Sequence, residues 1–221
     1  MKKLMSALAV VAIASVAQAD ILATWAFNGS NSTDWYNAAP VDATSLGANV
    51  DSGSLTFGAG FTATTSANGL RGNGTTWGGV SRTIDLADTS YVQLSLAAAS
   101  GYTLTVMDIT CAMSGSSTGQ NGQDRWAANS NGGAYSFVTS QASYGANGSK
   151  PYDVTDTTGS TVGLRYFASP TSTGGTWGFY SASGISVNGT TQVSAPVPEP
   201  ATMGLLGLGA LAMVLRRKMS K

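Results

Sequence analysis

The side chains that could carry out acid–base or nucleophilic chemistry are few in this chain. No histidine is present, and the single cysteine, Cys111, lies in the apolar stretch LTVMDITCAM. A serine or cysteine nucleophile usually needs a histidine base. Two aspartates could hydrolyse a glycosidic bond, but nothing in the sequence pairs Asp85, Asp88 or Asp124. The sequence therefore predicts a protein that is not an enzyme, with Cys111 as a buried structural thiol.

Aromatic side chains in stretches rich in glycine and asparagine offer a different chemistry, the binding of sugars. Flat rings can stack on the apolar faces of sugars, and residues on loops are free to contact a ligand. The candidate glycan-binding rings are Trp35, Tyr36, Trp77 and Trp126, with Asp34, Arg71 and Asp124 as hydrogen-bonding neighbours. The alternative for each ring is burial in the core, because tryptophan covers a large apolar area.

The charge of the central part of the chain excludes one class of partner. Between Asp20 and Ala195 there are ten aspartates and only five scattered basic residues. Binding to a phosphate backbone requires clustered lysine and arginine side chains that displace counterions. The sequence therefore predicts that nucleic acid is not a partner.

The elements that must position these residues are β-strands. Short alternations of apolar and polar residues are separated by clusters of glycine, asparagine and serine, which predicts an all-β sandwich or barrel over residues 20–194. Of the two, we expect the antiparallel β-sandwich, of the jelly-roll-like kind. No part of this body shows a sustained helical period. The predicted strands lie within 21–29, 53–65 (a hairpin-like pair), 78–86, 91–113 (two strands joined at an Ala-Ser-Gly turn), 134–140, 160–168, 176–182 and 184–193.

The pattern within 91–113 predicts an irregularity. Leu104 and Val106 alternate with threonines, whereas Met107, Ile109 and Cys111 continue on the opposite parity. Because side chains alternate between the two faces of a strand, the buried face should switch near Met107. We expect either a β-bulge there or a strand that is buried on both faces.

The N-terminal segment 1–19 has the three parts of a secretory signal peptide. Lys2 and Lys3 precede an apolar stretch, and Ala17-Gln18-Ala19 has the small-x-small pattern of a cleavage site. We therefore expect a signal helix that is removed after Ala19, so that the mature chain begins at Asp20.

The C-terminal segment 195–221 has a Pro-rich turn, a short apolar run and a basic end. The run 201–215 holds 15 residues, which as a helix would be about 22 Å long. This is short of the hydrocarbon core of a bilayer at roughly 30 Å. The order of the three parts resembles the PEP-CTERM sorting signal of exported bacterial proteins. The residues that carry the resemblance are Val197, Pro198, Glu199 and Pro200, followed by Arg216, Arg217 and Lys218. A Pro-rich linker to a permanent anchor is the alternative.

The resemblance implies an export route and a processing enzyme. In that family the signal is recognised by exosortase, and the hosts are Gram-negative bacteria that make exopolysaccharide. The body is also similar in its pattern to extracellular jelly-roll domains, some of which hold a structural calcium ion. No D-x-D-x-D-G loop is present, so the sequence predicts no cofactor and leaves structural calcium as an open alternative.

Two functions follow from this resemblance as hypotheses. The first is a structural or adhesive protein of the cell surface or the biofilm matrix, exported, transiently held at the inner membrane and processed by exosortase. The second is an extracellular carbohydrate-binding module that uses exposed tryptophan residues, with exopolysaccharide as its partner.

Overall fold

The computed structural model describes residues 19–27, 32–63, 69–73, 83–115, 123–143, 148–169, 176–180 and 184–194. The strands within these ranges are β1 (Asp20–Trp25), β2 (Val41–Asp42), β3 (Ser45–Leu46), β4 (Val50–Phe57), β5 (Thr62–Ala63), β6 (Gly69–Asn73), β7 (Val92–Ala98), β8 (Tyr102–Gly115), β9 (Gln123–Ser130), β10 (Ser136–Phe137), β11 (Ala142–Ser143), β12 (Gly148–Gly159), β13 (Thr161–Ser169), β14 (Thr176–Tyr180) and β15 (Ile185–Val193). One short helix, α1, spans Ser32–Asn37.

The strands form two antiparallel sheets that pack as a sandwich, which confirms the predicted fold class. Sheet A has the order β3-β1-β15-β8-β14-β6-β5, and β12 also pairs with β8. Sheet B has the order β10-β9-β13-β7-β4-β2, and β11 also pairs with β9. The N-terminal and C-terminal helices that the sequence predicts lie outside the described residues.

The hydrophobic core lies between the sheets and follows the alternation of their strands. In β7, Val92, Leu94 and Leu96 are buried, while Gln93 and Ser95 point to the other face and are half-exposed. The largest side chains that are fully buried are Trp25, Trp126, Tyr166, Phe27, Phe167 and Phe179. Cys111 is also buried and unpaired by any disulfide, as predicted.

The irregularity predicted near Met107 is present as a β-bulge. The two strands that pair with this part of β8 both skip this residue. β15 pairs Gly189 with Val106 and Asn188 with Asp108, and β12 shows a register shift at the same place. The bulge reverses the parity of the strand, so Leu104 and Val106 are buried before it and Ile109 and Cys111 after it. The long strand β8 can therefore contribute to one core along its whole length.

The hairpin predicted within 53–65 is wrong, because its two strands belong to different sheets. β4 pairs with β7 in sheet B, whereas β5 pairs with β6 in sheet A. The backbone amides of Gly58 and Gly60 donate instead to the carbonyls of Tyr91 and Thr89. Residues 58–61 therefore pair with the segment before β7 and cross from one sheet to the other.

The strand predicted at 78–86 is also wrong over its described part, since residues 83–86 contain no strand. Besides the short strands β2, β3, β6 and β11, the sequence did not predict β9 and β12. Their apolar alternation is interrupted by Asp124 in β9 and by Pro151 and a run of aspartate and threonine in β12. These segments form strands because of their contacts with distant parts of the chain, and not because of their local sequence pattern.

The helix α1 was not predicted either, and it is too short to be stable on its own. Trp35 of this helix packs edge-on against Phe27, with ring centroids 5.3 Å apart, and joins the main core. This tertiary contact stabilises the helical turn. Among the described residues, no helix has the length and apolar character needed to cross a membrane.

The core between the sheets generates a stability prediction with a matched control. Leu94 is 0% exposed and Leu46 is 42% exposed. We expect Leu94→Ala to lower the free energy of unfolding by about 2–5 kcal/mol, because it leaves a cavity. Leu46→Ala should cost about 1 kcal/mol or less. Urea denaturation of the two variants measures the difference, and equal losses would contradict the assigned core.

Candidate functional site

The outer face of sheet B carries a row of polar side chains across four neighbouring strands. The register places Ser54 of β4 opposite Ser95 of β7, Ser95 opposite Gly163 of β13, and Gly163 opposite Asn129 of β9. Because the residues on either side of each point into the core, these residues point away from it. A concavity of about 290 Å³ opens over this row.

Three more residues complete this surface, which we call the polar platform. Gln93 lies beside Arg165 in the next row of the same sheet, and Tyr135 reaches over the platform from the turn between β9 and β10. The polar platform thus consists of Ser54, Gln93, Ser95, Asn129, Tyr135 and Arg165.

Arg165 is held in place by two aromatic rings and one hydrogen bond. Its guanidinium carbon lies 4.3 Å from the ring centroid of Tyr91 and 3.9 Å from that of Tyr135. Its Nε donates to the Oε1 of Gln93 at 2.9 Å. No carboxylate among the described residues pairs with it. The platform therefore contains a preorganised cation that no acid in the described part of the chain neutralises.

The absence of a side chain at Gly163 allows two polar groups to converge. A Cβ atom there would lie 2.5 Å from both the Oδ1 of Asn129 and the hydroxyl oxygen of Tyr135. Asn129 uses this space to accept a hydrogen bond from the Gly163 amide at 3.1 Å and to donate to the Gly133 carbonyl at 2.8 Å. An amide and a phenol hydroxyl thus meet directly above the strand.

The turn that carries Tyr135 is fixed by Asn131. This residue adopts a φ of 51°, which asparagine tolerates better than most side chains. Its Oδ1 accepts hydrogen bonds from the amide and the hydroxyl of Ser160, both at 2.9 Å. Burial raises the pKa of Tyr135, while the nearby Arg165 guanidinium opposes that rise, so the hydroxyl stays protonated and can donate at neutral pH.

A second, smaller hydrophobic cluster supports the platform from the same face of sheet B. Ile84, Ala127 and Phe167 are buried in it, with Leu86, Tyr91, Tyr135 and Phe137 packed against them. The irregular segment 83–91 thus covers part of the sheet and supplies Tyr91 to the guanidinium of Arg165. Both rings that hold the cation are anchored by apolar contacts.

A buried polar cluster lies on the opposite face of β9, between the two sheets. The carboxylate of Asp124 is 0% exposed, and each of its two oxygens lies 2.9 Å from the Nζ of Lys150. The hydroxyls of Tyr152 and Tyr166 both donate to Oδ2 of Asp124, the latter at 3.1 Å. We call these four residues the buried polar cluster.

The ionisation of this cluster is dominated by its burial. Loss of solvent raises the pKa of the Asp124 carboxyl, and the hydrogen bonds from Tyr152 and Lys150 only partly oppose that rise. The pKa of Tyr152 is raised well above its ordinary value by burial and by the negative charge of Asp124. Tyr152 therefore stays protonated and donates to Asp124, and the geometry gives Tyr166 as a second donor.

The predicted glycan-binding residues do not form one surface. Trp126 is 0% exposed and packs against Tyr166 with ring centroids 5.1 Å apart, so the prediction that it presents a ring to a sugar is wrong. Its neighbour Asp124 is also buried. The physical reason is that β9 is a strand whose even-numbered residues face the core from Asp124 to Ala128.

The other candidate rings lie on α1 or outside the described residues. Trp35 is half-buried against Phe27, while Tyr36 is 39% exposed and packs on Phe57 and Phe61. Asp34 is exposed beside them, and Arg71 lies in β6. Trp77, Ala17 of the signal-cleavage residues and all of the sorting residues lie outside the described residues, whereas Ala19 and Asp20 lie at the start of the described chain. Tyr36 is therefore the candidate ring that the structure leaves on the surface.

Sequence reasoning missed the residues of the polar platform. The available signal was the outward parity of Gln93 and Ser95 in β7 and of Arg165 between Leu164 and Tyr166 in β13. The convergence of these residues with Tyr135 depends on strand order, which the sequence does not reveal.

The aspartates considered for catalysis or metal binding have structural partners. An oxygen of Asp88 accepts from the Asp85 amide, and an oxygen of Asp85 accepts from the Ala87 amide, both at 3.0 Å, which closes a turn. Asp124 faces Lys150. Within the part of the chain that the structure describes, no three side chains from histidine, cysteine, aspartate and glutamate converge as metal ligands do.

Gly163 provides a test of the platform geometry. We expect Gly163→Ala to lower the free energy of unfolding by about 1–3 kcal/mol, because the new methyl group displaces Asn129 and Tyr135. Adding Tyr135→Phe removes one of the two colliding oxygens, so the double variant should lose less than the sum of the single losses. Urea denaturation of the four proteins of this cycle measures the coupling, and strict additivity would contradict the assigned contact.

Comparison with solved structures gives partial superpositions on sandwich domains. The C-terminal domain of a chitobiase from Bacteroides fragilis aligns at 16% identity over 48% of this chain and 67% of that chain, with a TM-score of 0.31. CpGH89CBM32-5 from Clostridium perfringens, solved in complex with GalNAc-β-1,3-galactose, aligns at 17% identity over 44% of this chain and 65% of that chain, with a TM-score of 0.29.

Comparison with protein families identifies the C-terminal segment. No curated protein matches the chain. Residues 196–218 match the PEP-CTERM protein-sorting motif, which confirms the resemblance found in the sequence. The motif implies an exported protein that is processed by exosortase. The chain thus carries, after its β-sandwich, a PEP-CTERM protein-sorting motif.

Proposed function

We propose that this protein is an exported, non-enzymatic component of the cell surface or exopolysaccharide matrix of a Gram-negative bacterium. The observation that carries the proposal is the sorting motif at residues 196–218, which follows a chain whose first 19 residues have the pattern of a signal peptide. The body would act as a structural or adhesive element after exosortase has processed the tail at the inner membrane.

The boundaries of the sandwich support this division into leader, body and tail. β1 begins at Asp20, the expected first residue of the mature chain, and β15 ends at Val193. The two strands are antiparallel neighbours in sheet A, with Asp20 opposite Gly189. Removal of residues 1–19 and of the tail would therefore leave every described strand of the sandwich intact.

The processing is testable by intact mass and terminal sequencing of the protein from its native host. We expect a mature N-terminus at Asp20 and a C-terminus that lacks Arg216, Arg217 and Lys218. Glu199→Gln within the Pro-Glu-Pro turn should reduce processing, whereas Thr202→Ser, a neighbouring change outside the turn, should not. A native protein that still ends at Lys221 would contradict sorting and would favour a permanent anchor.

A second function, carbohydrate binding, is favoured by the polar platform. Its amide, hydroxyl and guanidinium groups can hydrogen-bond to sugar hydroxyls, and the Tyr135 ring beside them offers an aromatic surface. These groups are preorganised by the Asn129, Gln93 and Tyr91 contacts described above, so little side-chain entropy is lost when a ligand binds. The uncompensated charge of Arg165 favours a polysaccharide that carries carboxylates.

Affinity electrophoresis against the exopolysaccharide of the host tests this function. The wild-type protein should be retarded. The dissociation constant derived from the retardation should rise at least tenfold in Asn129→Ala and in Tyr135→Ala, a loss of about 1.4 kcal/mol of binding free energy. Tyr36→Ala is the matched control, since it removes an exposed tyrosine away from the platform and should bind as the wild type does. No retardation of the wild type, or a loss confined to Tyr36→Ala, would contradict the platform as the binding site.

A further inference from the structure

The buried polar cluster has the composition and geometry of a condensation site. Lys150 Nζ is 2.9 Å from both oxygens of Asp124, which places the nitrogen next to the carbon that joins them. Reacting atoms in a near-attack arrangement lie about 3–3.5 Å apart. The sheets therefore hold a primary amine and a carboxyl group at reacting distance.

We propose that the side chains of Lys150 and Asp124 condense to an intramolecular amide that cross-links the two sheets of the sandwich. This inference is independent of the proposed function, because it rests on the interior of the body alone.

The surroundings of Asp124 favour the form of its carboxyl group that reacts. Asp124 is 0% exposed, and the tyrosines that donate to it, Tyr152 and Tyr166, are buried as well. Separated charges are costly in such an environment, so proton transfer from the ammonium to the carboxylate is made easier than in water. The raised pKa of Asp124 is in the direction that populates the carboxylic acid, which is the electrophilic form.

The reaction balances without an oxidant or a co-reactant. Proton transfer gives a neutral amine and a neutral acid, and the lone pair of Nζ then forms a bond to Cγ of Asp124. The bond from Cγ to one oxygen breaks, and that oxygen leaves as water after taking a second proton from the nitrogen. Tyr152 and Tyr166 donate to Oδ2, so their hydroxyls are placed to relay this proton.

The position of the pair gives the cross-link a structural role. Asp124 lies in β9 of sheet B and Lys150 lies in β12 of sheet A. The side chain of Lys150 is 23% exposed, which gives the released water a route to solvent. The chain has a single cysteine and so no intrachain disulfide. An amide here would limit the freedom of the unfolded chain as a disulfide does, but it would resist reduction.

Peptide mapping of the full chain tests the proposal. After unfolding, cleavage at Arg82, Arg125 and Arg165 puts Asp124 on peptide 83–125 and Lys150 on peptide 126–165. We expect a single species with the summed mass of the two peptides minus one water, and fragmentation should locate the bond at these two side chains. Two separate peptides of unmodified mass would overturn the proposal and leave the pair as a buried salt bridge.

Lys150→Arg is the matched control, because arginine keeps the positive charge but its guanidinium is not a comparable nucleophile. This variant should yield two separate peptides and a lower Tm than the wild type. A linked species that persists in Lys150→Arg would assign the bond to another residue and overturn the proposal. Tyr152→Phe combined with Tyr166→Phe should lower the linked fraction if the hydroxyls relay the proton.

Discussion

The constraint on which the rest of the structure depends is the burial of Asp124 between the two sheets. A carboxyl group without solvent destabilises the fold unless donors surround it. Lys150 and Tyr152 supply them from β12 of sheet A, and Tyr166 supplies one from β13 of sheet B. The two sheets can therefore satisfy this group only in one mutual arrangement, and a shift of β9 by one residue would expose Asp124 and bury Arg125.

The same constraint determines what appears on the outer surface. Because side chains alternate along a strand, an inward Asp124 requires Arg125, Ala127 and Asn129 to point outward. Arg125 stacks on Phe137 at 3.7 Å and donates to the Thr139 carbonyl, which holds the segment after β9 against the sheet. Asn129 reaches Gly163 and forms the centre of the polar platform. The buried cluster and the platform are therefore two consequences of one register.

The sequence predicted the parts of the fold that depend on local alternation. The sandwich class, most strands and the bulge at Met107 all follow from the alternation of apolar and polar residues along the chain. β9 was not predicted, because its buried positions hold a charged residue beside Trp126, and the pattern is typical of a loop. The buried charge is acceptable only because Lys150 and Tyr152, about 26 residues later in the chain, contact it. Such compensation depends on strand order, which a single sequence does not contain.

The candidate site could be predicted even less well, for a related reason. Tryptophan in a glycine-rich stretch suggested exposure, yet Trp126 lies in the core, since the ring is large and the inward face of β9 is apolar beyond Asp124. The exposed chemistry comes instead from small polar residues and from Arg165, each unremarkable alone. The platform lies on the outer face of sheet B, whereas β1 and β15, the first and last described strands, belong to sheet A. The sorting motif at residues 196–218 therefore follows a strand of the sheet that does not carry the platform.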